Sequence, residues 1–148
     1  MINYTEKKKI EYFRLVRYRN WIGQEKLSEL YDELNRIILG NNAKKTGPLI
    51  SCTHLVRKKG ESLELDFEIM VPIDKEIPLT LEFCMCEKFY IENAMDIHIV
   101  TNKCSLEKEI AEVNQYIKDK NILPQTATYS VLVKDENEMI DTHLIFGL

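Results

Sequence analysis

Two stretches of this chain echo each other. Phe67-Glu68-Ile69-Met70-Val71-Pro72-Ile73 is a short apolar run carrying one acid. Thr142-His143-Leu144-Ile145-Phe146-Gly147-Leu148 repeats its alternation about 75 residues later. Each closes a segment that reads strand, helix, strand, strand. A repeat of half the chain limits the fold more than any single motif. Each half must bury the same kind of helix stripe against the same kind of sheet. Half-repeats of about 1–76 and 77–148, within a single domain spanning 1–148, are expected.

The local pattern supports this division. Ile10 to Tyr18 is rich in aromatic and β-branched residues and reads as a strand that Gly23 interrupts. Leu27, Leu30, Tyr31, Leu34, Ile37 and Ile38 then form one helical stripe, with Gly40 as its expected stop. Thr46-Gly47-Pro48 is turn chemistry, and Leu49 to Val56 is the next strand. After a hairpin at Lys58-Lys59-Gly60-Glu61, Leu63, Leu65, Phe67, Ile69 and Val71 alternate with Glu64, Asp66, Glu68 and Met70.

In the second half, Leu81 to Cys86 and Lys88 to Val100 read as strands, with a bend at Asn93-Ala94-Met95. Ser105 is placed to cap a helix whose stripe is Leu106, Ile110, Val113 and Ile117, and Asn121 and Pro124 end it. Ala127 to Val133 and Met139 to Leu148 form the last hairpin. The fold class that follows is α+β: duplicated β-α-β-β units forming one antiparallel sheet, with both helices packed on one face and the other face partly open.

Composition excludes several functions. The 148 residues are 45% apolar and 30% charged, enough for a single packed core, and the net charge is −4. An acidic balance argues against a nucleic-acid partner. Lys7-Lys8-Lys9 reads as a solvated start. No apolar run reaches membrane-spanning length and no secretion signal is evident, so a cytoplasmic location without a membrane partner is expected. Cys52, Cys84, Cys86 and Cys104 are then reduced thiols.

A duplicated β-α-β-β unit, the Thr46-Gly47-Pro48 turn and the Val71-Pro72 step closing the first half resemble the GyrI-like superfamily, the effector-binding domains of bacterial multidrug-sensing regulators. The resemblance covers nearly the whole chain. With no helix-turn-helix segment before it, it implies a stand-alone member of the kind found uncharacterised in Gram-positive bacteria. It further implies a ligand groove between two pseudo-symmetric halves. There a glutamate near the last strand meets a cationic aromatic ligand. The position matching that glutamate holds His143, and Glu68 occupies the corresponding place in the first half.

Several residues carry both a functional and a plain structural reading. Glu64, Asp66 and Glu68 form either an acidic groove or the solvated face of a sheet, and Glu68 is the functional candidate among them. His143 is a ligand contact or a strand residue satisfied by a neighbour; His54 and His98 have weaker claims. Trp21, Tyr90 and Tyr129 could wall a pocket, or simply pack. Cys84-x-Cys86 with Cys52-x-His54 lacks paired zinc-knuckle spacing, so no metal and no cofactor is expected. Gly-x-Ser-x-Gly and phosphate-cradling loops are absent.

The expected function is therefore non-catalytic binding of a small-molecule effector by Glu68, His143, Trp21, Tyr90 and Tyr129. The alternatives are a protein-interaction or accessory role beside a toxin or secretion cluster, and a small hydrolase using Glu68.

Overall fold

The computed structural model describes residues 1–80 and 82–148. The order is β1 (Ile2–Gly23), α1 (Leu27–Gly40), β2 (Leu49–Lys59), β3 (Ser62–Pro72), β4 (Phe83–Asn102), α2 (Leu106–Asp119), β5 (Tyr129–Glu136) and β6 (Met139–Gly147). The α+β class is as expected, a largely antiparallel strand architecture with two helices. The chain divides into two compact units, Tyr12–Phe89 and Met1–Glu11 with Tyr90–Leu148.

In the first unit β3 lies between β1 and β2, antiparallel to both. Leu30, Leu34 and Ile38 of α1 bury against Val16, Tyr18, Leu65, Phe67, Ile69 and Val71. The apolar stripe of the helix meets the odd-numbered face of β3, as both periods require. In the second unit β6 pairs with β4 and β5. Val113 of α2 joins Met95, Ile97, Ile99 and Phe146, with Leu106, Ile110 and Ile117 packed against that cluster.

Local details differ from the sequence reading. The strand expected at Ile10–Tyr18 starts at Ile2, and Lys8 is an ion-paired strand residue rather than part of a solvated start. The two strands expected across 81–100 are one strand of 20 residues from Phe83; Leu81 lies outside the described residues. No bend forms at Asn93-Ala94-Met95, because Ala94 and Met95 are fully buried and pair in unbroken register with Gly147 and Phe146. The face of β3 expected to lie open is buried at Glu68 and Met70.

Both helices begin after one turn of 3₁₀ helix and both run for 14 residues. Ser105 makes no side-chain cap; the Asn102 side chain accepts from the Ser105 amide instead, one turn earlier. Gly40 is still helical. The left-handed stop falls on Asn42, φ 57°, and on Asn121, φ 53° in the second helix. The amides of Asn42 and Ala43 return to the carbonyls of Leu39 and Ile38, and those of Asn121 and Ile122 to Lys118 and Ile117. Both are Schellman motifs with asparagine in the position glycine usually takes. Gly47 matters for another reason: a Cβ there would lie 3.0 Å from the Pro72 ring.

Asparagine tolerates the left-handed region better than other side chains with a Cβ. Asn42→Ala and Asn121→Ala are each expected to cost about 1 kcal/mol. The corresponding glycine variants should be neutral or slightly stabilising. Urea unfolding of the four variants measures this directly.

Candidate functional site

The two units carry charged side chains at matching points of their ladders. In the first unit Glu68 stands on β3 directly opposite Arg19 of β1, and Arg17, two residues back, lies diagonal to it. Diagonal cross-strand neighbours are within reach of long side chains. Arg17 Nε donates to Glu68 Oε2 at 2.6 Å. His54 Nε2 lies 2.8 Å from Glu68 Oε1. Glu68 itself is only 5% exposed.

A backbone irregularity delivers His54. The β2–β3 register slips between Thr53 and Leu55, so His54 is the extra residue of a bulge. Bulges re-aim a side chain that regular pleating would place elsewhere. The other two acids of β3 are also paired. Arg19 donates to Asp66 from Nε and Nη2, at 3.3 and 3.1 Å, and Arg57 Nε donates to Glu64 at 2.8 Å. The row that could be read as a solvated acidic face is thus a ladder of ion pairs. The Arg19 hydrogen bond holds the Asp66 carboxyl below its ordinary range.

Burial disfavours the charge on Arg17, but the hydrogen bond and attraction to Glu68 outweigh it, with Cys84 contributing, so its pKa is raised. Glu68 is the buried member of an ion pair whose Arg17 side is partly exposed. Such pairs add little net stability compared with well-packed apolar residues. They are therefore informative about function.

In the second unit His143 stands on β6 directly opposite His98 of β4, and Asp96 lies diagonal to it. His143 Nδ1 and Asp96 Oδ1 are 2.6 Å apart, and Lys8 Nζ donates to Asp96 Oδ2, also at 2.6 Å. Asp96 is 4% exposed. Burial pushes its carboxyl up, but the hydrogen bonds from Lys8 and His143, with their charges, together hold it below the ordinary value. The His98 and His143 rings stack, centroids 4.1 Å apart and 3° from parallel. His98 Nε2 reaches Asp141 Oδ1 at 2.6 Å.

The remaining candidates sit as follows. Trp21 is opposite Asp66 near the end of β1, with the Arg57 guanidinium 3.9 Å above its ring. Tyr90 is exposed, with Lys9 Nζ 5.6 Å from its ring centroid. Tyr129 begins β5 opposite Ile145 and is half-buried. Glu68 and Trp21 belong to the first unit, His143, Tyr90 and Tyr129 to the second. A cleft of about 640 Å³ in the first unit is lined by Phe13, Arg14, Glu76, Met85, Cys86 and Glu87, none of them among these five.

The four thiols are free. Burial, then the nearby Glu68, pushes the Cys52 thiol up to about 11, which makes it unreactive.

Sequence reasoning undervalued His54 and His98 and passed over Arg17 and Asp96. One signal was available for the second unit: Asp96 and His98 are two residues apart, as are Asp141 and His143. Two i, i+2 pairs on the closing strands of a hairpin-like ladder share a face. No comparable signal existed for His54, whose orientation depends on the bulge.

No known family model matches the chain, and no curated protein is similar in sequence. Solved structures are similar in fold. A cryo-EM structure of EcmrR bound to DNA superposes with a TM-score of 0.72 at 11% identity, over 99% of this chain and 58% of that one. This chain thus spans somewhat more than half the length of that protein. The crystallised C-terminal domain of EcmrR superposes at 0.63, again at 11% identity, over 97% of this chain and 96% of that domain. An uncharacterised conserved protein from Listeria innocua gives 0.53 at 11% identity, over 95% and 92%. These likenesses establish a fold shared with the EcmrR C-terminal domain. No helix among the described residues is long and apolar enough to cross a membrane.

Two predictions follow from the ion pairs. Arg17→Met, which leaves Glu68 buried beside an apolar neighbour, is expected to cost about 2–3 kcal/mol. Arg17→Met combined with Glu68→Gln should recover at least half of that, and a double-mutant cycle in urea measures the coupling. For Asp96, the folded carboxyl titrates below its ordinary value of 3.8. Its contribution is complete above that pH and is lost as pH falls through the folded pKa. The stability gap between wild type and Asp96→Asn should therefore close on acidification, as unfolding from neutral pH to pH about 3 will report.

Proposed function

We propose that the chain is a single GyrI-like effector-binding domain of two β-α-β-β units that binds a small molecule without chemical conversion. Glu68 and His143 supply the polar contacts, and Trp21, Tyr90 and Tyr129 the apolar walls. The observation that carries this reading is the buried Glu68, contacted by Arg17 and His54. It occurs on a fold shared with the C-terminal domain of a regulator. A buried carboxylate with two partners is costly to build for stability alone.

The partners of Glu68 narrow the ligand. A lipophilic cation would have to compete with the Arg17 guanidinium for a carboxylate already neutralised. A molecule presenting both a donor and an acceptor engages Glu68 and Arg17 together, without leaving either charge unpaired. Flat, amphoteric metabolites fit this better than purely cationic drugs. Hydrolysis at Glu68 has less support, because both carboxylate oxygens already accept a hydrogen bond or face an imidazole nitrogen.

A thermal-shift screen of lipophilic cations and amphoteric aromatic metabolites tests the reading. Amphoteric compounds are expected to raise the melting point of wild type, and Glu68→Gln to remove the shift. Absence of any shift in wild type, or an equal shift in Glu68→Gln, would count against effector binding through Glu68.

A further inference from the structure

His98, Asp141 and His143 offer one ligand atom each, and these atoms all lie within 4.8 Å of one another. We propose that the three residues form a binding site for a divalent first-row transition metal of the zinc class, with Asp96 orienting one of the ligands. The site shares His143 with the proposed effector contacts but takes nothing from Glu68, so metal binding is measured without an effector present.

The strand ladder builds the cluster. His98 and His143 are directly opposite across β4 and β6, and Asp141 is two residues before His143 on the same face. The three positions are fixed by backbone pairing, not by loops, so the site is placed on rigid elements. All three side chains are half-buried, which shields an ion while leaving it a route of entry.

The outer shell argues for ligation more strongly than proximity does. His143 Nδ1 is engaged by Asp96 Oδ1 at 2.6 Å. In the neutral tautomer that donates from Nδ1 to this carboxylate, the lone pair is on Nε2. Carboxylate–histidine–metal arrangements use this device to fix tautomer and ring direction. Asp96 is in turn anchored by Lys8 Nζ at 2.6 Å. Nothing about a solvated histidine on a sheet would require a buried carboxylate behind it with its own cation.

The stacked rings give a second reason. The two imidazoles lie 4.1 Å apart and 3° from parallel, which brings their ring nitrogens to the same side of the ladder as Asp141. With His98 Nε2 2.6 Å from Asp141 Oδ1, the cluster brings ring nitrogen and carboxylate oxygen together. Two imidazoles and one carboxylate match three-protein-ligand zinc sites and the facial triads of other divalent ions. Ligand atoms around an ion at about 2.1 Å stand roughly 3.4 Å apart. Seating the ion therefore means opening the His98–Asp141 contact, which at 2.6 Å is shorter than that spacing. A fourth position remains for water or an exogenous ligand.

The test uses the full chain, stripped of metal and titrated with Zn²⁺ against a chromophoric chelator and with Co²⁺ by visible absorption. Wild type is expected to bind one equivalent, giving cobalt d–d bands without a thiolate charge-transfer band, because the site contains no sulfur. Asp141→Asn and His98→Ala should each weaken binding at least tenfold, and Asp96→Asn about tenfold, the usual effect of losing an outer-shell partner. Far-UV circular dichroism confirms that each variant is folded. Asp141→Asn, conservative and half-exposed, keeps the test decisive if His98→Ala fails to fold. The proposal is overturned by wild type that binds no stoichiometric ion, or by equal affinity in Asp141→Asn. A thiolate band that disappears in Cys84→Ser/Cys86→Ser would also overturn it, placing the metal on the cysteines.

Discussion

A carboxylate on a buried sheet face must meet a cation or a hydrogen-bond donor on the next strand, and this requirement organises both units. Glu68 and Asp96 are each about one-twentieth exposed. Each is satisfied by a diagonal cross-strand neighbour at 2.6 Å, Arg17 in one case and His143 in the other. A slip of one residue in either ladder would turn every such side chain to the opposite face. The charges would then enter the apolar clusters, and the apolar residues would leave them. Register, core and site are thus set together.

The helices could be read from sequence because their signals are local. The stripe Leu30, Leu34, Ile38 is buried as its spacing implies, and Val113 anchors the second helix. The first helix stop was misplaced by two residues because asparagine competes with glycine for the left-handed position, whereas the second falls at Asn121 as read. Asn42 follows Gly40 closely enough for the glycine to draw attention first. The long β1 and β4 were read as shorter pieces because runs such as Lys7-Lys8-Lys9 look solvated in isolation. Lys8 is held in the strand by a carboxylate 88 residues away.

The site was legible in part. The repeat paired Glu68 with His143, and in the structure Glu68 stands opposite Arg19 and His143 opposite His98. What could not be read was their surroundings. Arg17 and Glu68 are 51 residues apart, and Asp96 and His143 are 47 apart. Such pairings depend on which strands become neighbours and in what register. His54 adds a further step, since a bulge must first re-aim it.

The difference between the halves also takes on another meaning. Read along one strand, an acid in the first half is replaced by a histidine in the second, as if the charge had been lost. Across the ladder it has changed sides. Arg17 on β1 pairs diagonally with Glu68 on β3, while Asp96 on β4 pairs diagonally with His143 on β6, so base and acid are exchanged between the two ladders. An exchange of this kind preserves the Coulombic and hydrogen-bonding demands of the buried position, so the fold tolerates it. It does not preserve chemistry. A guanidinium paired with a carboxylate offers only donors on its remaining edge, whereas an imidazole held by a carboxylate offers a lone pair. The same ladder position therefore suits recognition of a polar organic molecule in one unit. In the other, with His98 stacked on His143 and Asp141 beside it, that position suits the coordination of a metal ion.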